Sequence, residues 1–473
     1  MKKLALFLTA FALVFGLAAC ADRGDERQYG DDCEEPDGET PCWSDELQDF
    51  IWEDGAEITI GVDSDSMGAA LVEQWDRDFP EMEGQLTFTN YGSQNDETSG
   101  MEGLELAQDE APDLALVIDN ELIGREGAVL PLHEYFIDIG EENTHPDAFE
   151  QVNILDYFLL PAFYDGMVFS WNRTMLEEWD VDLTDSNGDN LPDAFDSWEK
   201  IFAMADEYGV AVDDRPEFRD EPILEFFPVS LDEPWSAYSS LTAGGWQLFG
   251  GGNFDDPEFA DESFLAGLEF IEAFSQTNMS IDETGSIRAA DAMGWRWDDY
   301  LEGDYPFSLV GTWMDVEGAM EDNDLEFEFS VMPTYNDTQL RPLMKTKGFV
   351  INGYTPYPSA ASHVLKWLYT NETMGTMINN SAYLPALQED SDFFPEMDAE
   401  FKQDFAVAMQ HNQFEVAATL PENPSVRAMD VYYNIDLNEV LKDLWDGDIT
   451  PEDAQADIVE AADYWIENNN TLD

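Results

Sequence analysis

The stretch DSNGDNLPDAFD carries oxygen-bearing side chains at Asp185, Asn187, Asp189, Asp193 and Asp196, with Leu191 placed to offer its carbonyl. That spacing suits Ca2+, because alternate residues of a tight loop turn inward around one centre and a hard cation takes oxygen ligands. Gly188 precedes the usual glycine position by two places; Asn190 stands there instead and tolerates left-handed backbone. Asp196 closes the loop with a shorter side chain than Glu, and Glu199 is a reserve ligand. The same residues also read as a solvated turn capping the helix that DSWEKIF begins. Such an ion would be structural, and no cofactor is required by anything else in the chain.

Catalytic constellations are sparse. The histidines, His133, His145, His363 and His411, are widely separated and never form HExxH, and neither a GxSxG elbow nor a GxxxxGK phosphate loop occurs. A glycosidase needs only two carboxylates at the right separation, so composition leaves a surface glycoside hydrolase open. A barrel hydrolase would show about eight strand-helix units, and this order of segments does not.

The balance of 104 acidic against 19 basic residues gives a formal charge of −85. Such a surface repels nucleic acid and anionic lipid, and both drop out as partners. With 44% hydrophobic residues and 14 Trp, the acids read as the solvated surface of a folded protein suited to a saline or alkaline exterior.

At the N-terminus, Lys2 and Lys3 precede an apolar run from Leu4 to Leu17 and the small residues before Cys20. The run is short of the roughly 20 residues of a membrane span and has the parts of a secretory signal. The cysteine context resembles the bacterial lipobox, so residues 1–19 are expected to be removed and Cys20 lipidated, anchoring the protein to the outer face of the cytoplasmic membrane. Residues 20–56 read as an acidic tether in which Cys33 and Cys42 pair in a local disulfide.

Beyond it, Glu57–Val62 alternates as a strand, Met67–Phe79 reads as a helix, Gln85–Tyr91 as a second strand, and Asp113–Ile118 as an apolar run of the kind buried in a parallel sheet. Phe264, Leu268, Ile271 and Phe274 keep helical spacing, as do Ile458, Val459, Ala462, Trp465 and Ile466. The rhythm is that of an α/β protein, and the length that of two lobes.

Read in order, ITIGVDSDS (Ile58–Ser66), PDLALVID (Pro112–Asp119), PAFYDGMVFSWN (Pro161–Asn172), DSWEKIF, DEPWSAYSSLTAGGW (Asp232–Trp246), YPFSLVGTWMDVEGAM (Tyr305–Met320), FSVMPT (Phe329–Thr334), KGFVINGYTPYPSAASHVLKWLYT (Lys347–Thr370) and AYLPAL (Ala382–Leu387) resemble the maltose/maltodextrin-type extracellular solute-binding proteins of ABC transporters. The resemblance implies a two-lobed, periplasmic-binding-protein-like fold of the second type, with discontinuous lobes, hinge strands and a central ligand cleft. It places crossings near Phe163, Pro333 and Ala382, giving lobes of 57–163 plus 335–380 and 164–334 plus 381–473. The implied partners are an oligosaccharide and the membrane subunits of an ABC permease, with the chain a monomer.

A sugar offers apolar ring faces and a fringe of hydroxyls, so its site needs aromatic platforms and carboxylates. The resemblance puts Trp313 and Trp235 in the platform positions, Glu233 beside the latter, and Asp165 at the lobe crossing. Asp63, Asp65 and Ser66 end the first strand, where α/β sheets bind ligands, and Asp119 and Asn120 follow the buried strand. Two positions depart from the family pattern: Ser66 replaces a basic residue, and Asp430 replaces an aromatic one for which Tyr432 or Tyr433 would substitute. A receptor for a peptide or polyamine is the alternative within the binding class.

Overall fold

A computed structural model describes residues 29, 33–90, 111–118, 129–144, 149, 157–188, 191–211, 225–250, 256–281, 286–294, 296–381, 383–388, 391–394, 418–419 and 428–469. The alternating ITIGV segment forms β1 (Ile58–Val62), with Ile58, Ile60 and Val62 buried. It leads into α1 (Asp65–Asp78), whose N-cap Ser64 hydroxyl accepts from the Met67 amide at 3.3 Å. β2 (Leu86–Asn90) and β3 (Leu114–Ile118) flank β1 in parallel, with α1 as the crossover from β1 to β2.

The sheet is held together by β4 (Leu160–Asn172), an unbroken strand of 13 residues. Its first part pairs antiparallel with β7 (Leu343–Ile351), from Leu160 opposite Phe349 to Gly166 opposite Met344. Its second part pairs with β5 (Phe307–Gly311) on one side and β6 (Phe327–Ser330) on the other, starting at Met167 opposite Gly311. β4 therefore leaves one half of the sheet and enters the other between Gly166 and Met167, giving a mixed α/β fold of two lobes. β7 also pairs antiparallel with β3, completing the order β6-β4-β7-β3-β1-β2. β8 (Leu384–Pro385) pairs with Tyr164 and Phe163 of β4.

The return crossing lies later than Pro333. The Thr334–Gln339 hairpin stays with the second lobe, because Thr334 bridges Ser197 and the Arg341 amide donates to Thr242 Oγ1 at 2.8 Å. Only at Leu343 does the chain join β7. Ala382 lies outside the described residues.

In the second lobe, α3 (Glu262–Thr277) buries Phe264, Leu268, Ile271 and Phe274, the positions its helical spacing marks as one face. It packs against α2 (Pro234–Leu241). Buried Asn278 follows; its side chain accepts from the Phe226 and Phe227 amides and donates to the Phe227 carbonyl, so no polar atom is stranded.

Residues 33–56 are not a free tether. Cys33 and Cys42 are joined by a disulfide, and the strands Trp43–Ser44 and Asp49–Phe50 form a hairpin docked on α4 (Pro358–Leu368). Ser359 Oγ donates to the Ile51 carbonyl at 2.6 Å, and the buried Glu53 carboxylate accepts the Ser359 and Ala360 amides at 2.8 and 2.6 Å. Those amides have no partner within their own helix, so an anion is favoured there. Trp43 stacks on Tyr135, and Lys366 donates to the Gln48 carbonyl. The acids of this stretch thus hide an aromatic-rich clasp.

Gly267 fixes the approach of α3 to α2: a Cβ there would lie 2.2 Å from the Leu241 carbonyl oxygen. In an open helix, Gly→Ala gains up to about 1 kcal/mol. Gly267→Ala is instead expected to lose about 1–3 kcal/mol, the cost of overpacking. Urea unfolding measures the sign directly.

Candidate functional site

Trp313 follows the last residue pair of β5. The Thr312 amide donates to the Gly166 carbonyl at 3.0 Å, and the Gly166 amide donates to Thr312 Oγ1 at 3.3 Å, so the turn is tied to the crossing point of β4. Gly311 makes room for the indole, since a Cβ there would stand 2.5 Å from the Trp313 ring. Trp235, in the first turn of α2, meets Trp313 edge to face, with centroids 5.7 Å apart and planes at 75°. Both indoles are half-buried. Glu233 is the N-cap residue of α2, and burial raises its carboxyl above the ordinary range, helped by Asp232 and opposed by the Trp235 amide.

Tyr432 is not a ligand-facing platform. It is 1% exposed, packs edge-on to Tyr238, and donates its hydroxyl to the Pro234 carbonyl at 2.8 Å. An aromatic at helical spacing is claimed first by the core, and here it holds the turn that carries Trp235. Tyr433, next to it, is half-buried.

The other half of the site stands at the end of β1. Lys347 of β7 donates to Asp63 Oδ2 at 2.6 Å and to the Tyr383 hydroxyl at 2.5 Å, and that hydroxyl donates to the same Oδ2 at 2.5 Å. Lys347 is 7% exposed, and the Tyr383 ring stacks on Phe163 at 5.4 Å. Removing one partner of a buried ion pair costs about 3–5 kcal/mol, because the other charge is stranded. Asp63 Oδ1 is buried and has no hydrogen-bond partner among the described residues. Sequence reasoning found Asp63 but missed Lys347 and Tyr383. The available signal was a lysine heading an apolar strand in a chain with 19 basic residues.

Asp65 is exposed in the first turn of α1, and Ser66 donates to the Asn380 carbonyl at 2.9 Å, serving α1 and α5 (Asn371–Asn379) rather than Asp63. Asp165 lies in β4 opposite Lys345, with its side chain outside the described residues. Asp119, Asn120 and the lipidation candidate Cys20 are also outside them.

The two halves face the same strand. Phe163, opposite Lys347, and Gly166, bonded to Thr312, are three residues apart on β4, roughly 10 Å along a strand. The candidate site combines aromatic side chains on one lobe with carboxylate acceptors on both.

In the 185–196 loop, the described carboxylates are engaged by partners of the protein itself. Asp185 Oδ1 accepts its own turn amides, Asn187 at 3.1 Å and Gly188 at 2.7 Å, while Asp196 pairs with Lys200 at 2.8 Å. Asp193 Oδ1 accepts from the Ser186 hydroxyl at 3.0 Å, and Leu191 is buried. No group of three or more His, Cys, Asp or Glu is arranged for a metal among the described residues, Asp189 lying outside them. Among those residues, too, no helix is long and apolar enough to cross a membrane.

No curated protein matches the chain significantly. Residues 77–409 match the family described as bacterial extracellular solute-binding protein. That match takes in the crossing strand β4 and parts of both lobes, with Glu233, Trp235, Trp313, Lys347 and Tyr383, while Asp63, Asp65, Ser66, Tyr432 and Tyr433 lie outside it. The chain belongs to the bacterial extracellular solute-binding proteins, a binding and not a catalytic family, whose members act outside the cytoplasm and support uptake by ABC importers.

Proposed function

We propose that this protein captures a carbohydrate, an oligosaccharide of the maltodextrin kind, and delivers it to the membrane subunits of an ABC permease. The observation that carries the reading is the Trp313–Trp235 pair set at the strand crossing beside Glu233. Two half-exposed indoles give ring faces to stack on, and a carboxylate held among them accepts hydroxyl protons. In the proposed arrangement Cys20 carries the lipid anchor, the chain works as a monomer, and capture needs no cofactor.

Titration of the mature protein with maltodextrins is expected to shift or quench tryptophan fluorescence saturably while the sugars stay intact. Trp313→Ala is expected to weaken that binding more than tenfold with an unchanged unfolding transition; equal affinity removes Trp313 from the site. A response to spermidine or peptides alone would move the ligand class away from sugar.

A structural Ca2+ in the 185–196 loop belongs to the proposal only as a folding aid. The ion has to displace Lys200 from Asp196 and turn Asp185 away from its own amides. Chelation is then expected to lower Tm by several degrees, and identical melting in EDTA and in Ca2+ assigns the cation's role there to Lys200.

A further inference from the structure

The Asp63–Lys347–Tyr383 cluster is more than an internal ion pair. Its donors all converge on one oxygen: Lys347 and Tyr383 both donate to Asp63 Oδ2, and Lys347 also donates to Tyr383. The tyrosine has one proton, and it is spent on Asp63 once the ammonium donates to its oxygen. Oδ1 is left buried without a partner among the described residues. A buried carboxylate oxygen with no donor is costly and calls for a reason.

Position supplies one. Asp63 ends β1, Lys347 lies on β7 opposite Phe163 of β4, and Tyr383 precedes β8, which pairs with Phe163 and Tyr164. The register of β7 against β4 slips between Lys347 and Gly348, and such irregularities re-aim side chains beside functional sites. Gly348 allows the close approach, since a Cβ there would meet the Leu160 carbonyl at 2.3 Å. Three separate segments therefore fix the rotamer of one carboxylate.

We propose that Lys347 and Tyr383 are positioning residues that saturate Asp63 Oδ2 and leave Oδ1 without a donor of its own, so that the protein selects solutes presenting a hydrogen-bond donor and rejects carboxylated ones. The inference rests on the capture site proposed above and narrows its ligand to neutral, hydroxyl-donating sugars. A hydroxyl proton completes Oδ1. A uronate carboxylate brings an anion against an unpaired anionic oxygen, with the Lys347 charge already matched by Asp63 at 2.6 Å and a surface of net charge −85 beyond. Specificity arises as readily from such repulsion as from attraction.

The test is thermal shift and fluorescence titration with maltotetraose, a trigalacturonate and spermidine. Wild-type protein is expected to bind maltotetraose at least a hundredfold more tightly than trigalacturonate; equal or tighter uronate binding, or no response to either maltotetraose or spermidine, overturns the proposal. Asp63→Asn is expected to weaken maltotetraose binding more than tenfold and narrow the uronate gap. Tyr383→Phe, which removes only the hydroxyl, is expected to lose three- to tenfold. Lys347→Met strands a charge, so the decisive comparison is Asp63→Asn against the double Asp63→Asn/Lys347→Met variant. Within threefold, their affinities are expected to agree, because a residue acting through Asp63 has nothing left to position. A further tenfold loss in the double variant shows that Lys347 acts otherwise and overturns the assignment. Loss of maltotetraose binding in Trp313→Ala but not in Asp63→Asn sinks this inference and leaves the sugar reading standing. Spermidine binding that vanishes in Asp63→Asn, with no sugar response, sinks the sugar reading and the narrowing to neutral sugars, and leaves only the donor-selecting role of Asp63.

Discussion

The molecule depends on one strand being continuous. β4 runs 13 residues without a break, and its hydrogen bonds change partners midway, from β7 to β5 and β6. A strand cannot leave its ladder without orphaning backbone groups, so the register on each side is fixed by the same residues. Gly166 and Met167 lie where the partners change, and Thr312 ties the Trp313 turn to Gly166 through two hydrogen bonds. Phe163, three residues back, faces Lys347 and stacks on Tyr383. Both halves of the site are thereby referred to one backbone, and a one-residue slip would displace each of them together.

The second constraint is the scarcity of cations. With 19 basic residues against 104 acids, several largely buried carboxylates are met by amides and hydroxyls and not by cations. Glu53 is satisfied by two helix amides, and burial still raises its carboxyl above the usual range. Asp113 uses the Thr59 amide at 2.9 Å and the Thr355 hydroxyl at 2.5 Å, and burial raises it likewise. Glu225 is the contrasting case, sharing Arg296 and Tyr305. Against that background a nearly buried lysine committed to Asp63 is a costly allocation, and the desolvation it entails is tolerated where geometry must be fixed.

Sequence patterning carried the elements whose burial is one-sided. The alternation of Ile58, Ile60 and Val62, the run Leu114–Ile118 and the helical face of Phe264, Leu268, Ile271 and Phe274 were all legible, because apolar residues recur at the period of the element. The clasp was not, since Trp43 and Phe50 are buried one at a time among acids and pay no heed to a period. The return crossing was set ten residues early, because the Thr334–Gln339 hairpin is held to the second lobe by bonds to Ser197 and Thr242 that no local pattern announces. Tyr432 and Tyr433 were indistinguishable as letters; which faces the core depends on helix phase at the Pro234 carbonyl. Lys347 and Tyr383 lay inside segments that marked the family, yet their meeting with Asp63 across 284 and 320 residues is tertiary.

These constraints bear on how a solute is chosen. Indole faces attract any ring with apolar C–H groups and are indifferent to the substituents at its rim. In the proposed sugar reading, discrimination therefore falls to the polar groups around them. Glu233, raised by burial, and Asp63, with one buried oxygen unpartnered among the described residues, are both acceptors, and they stand on opposite sides of the β4 crossing. In the proposed capture, carboxylates brought near a bound solute from both lobes disfavour closure until donors lie between them. A solute rich in hydroxyl donors supplies those donors and lowers the cost of bringing the lobes together, whereas a carboxylated one adds to the repulsion. Recognition and closure would then draw on the same few hydrogen bonds, with the aromatic pair fixing where the ring lies and the carboxylates deciding which rings are kept.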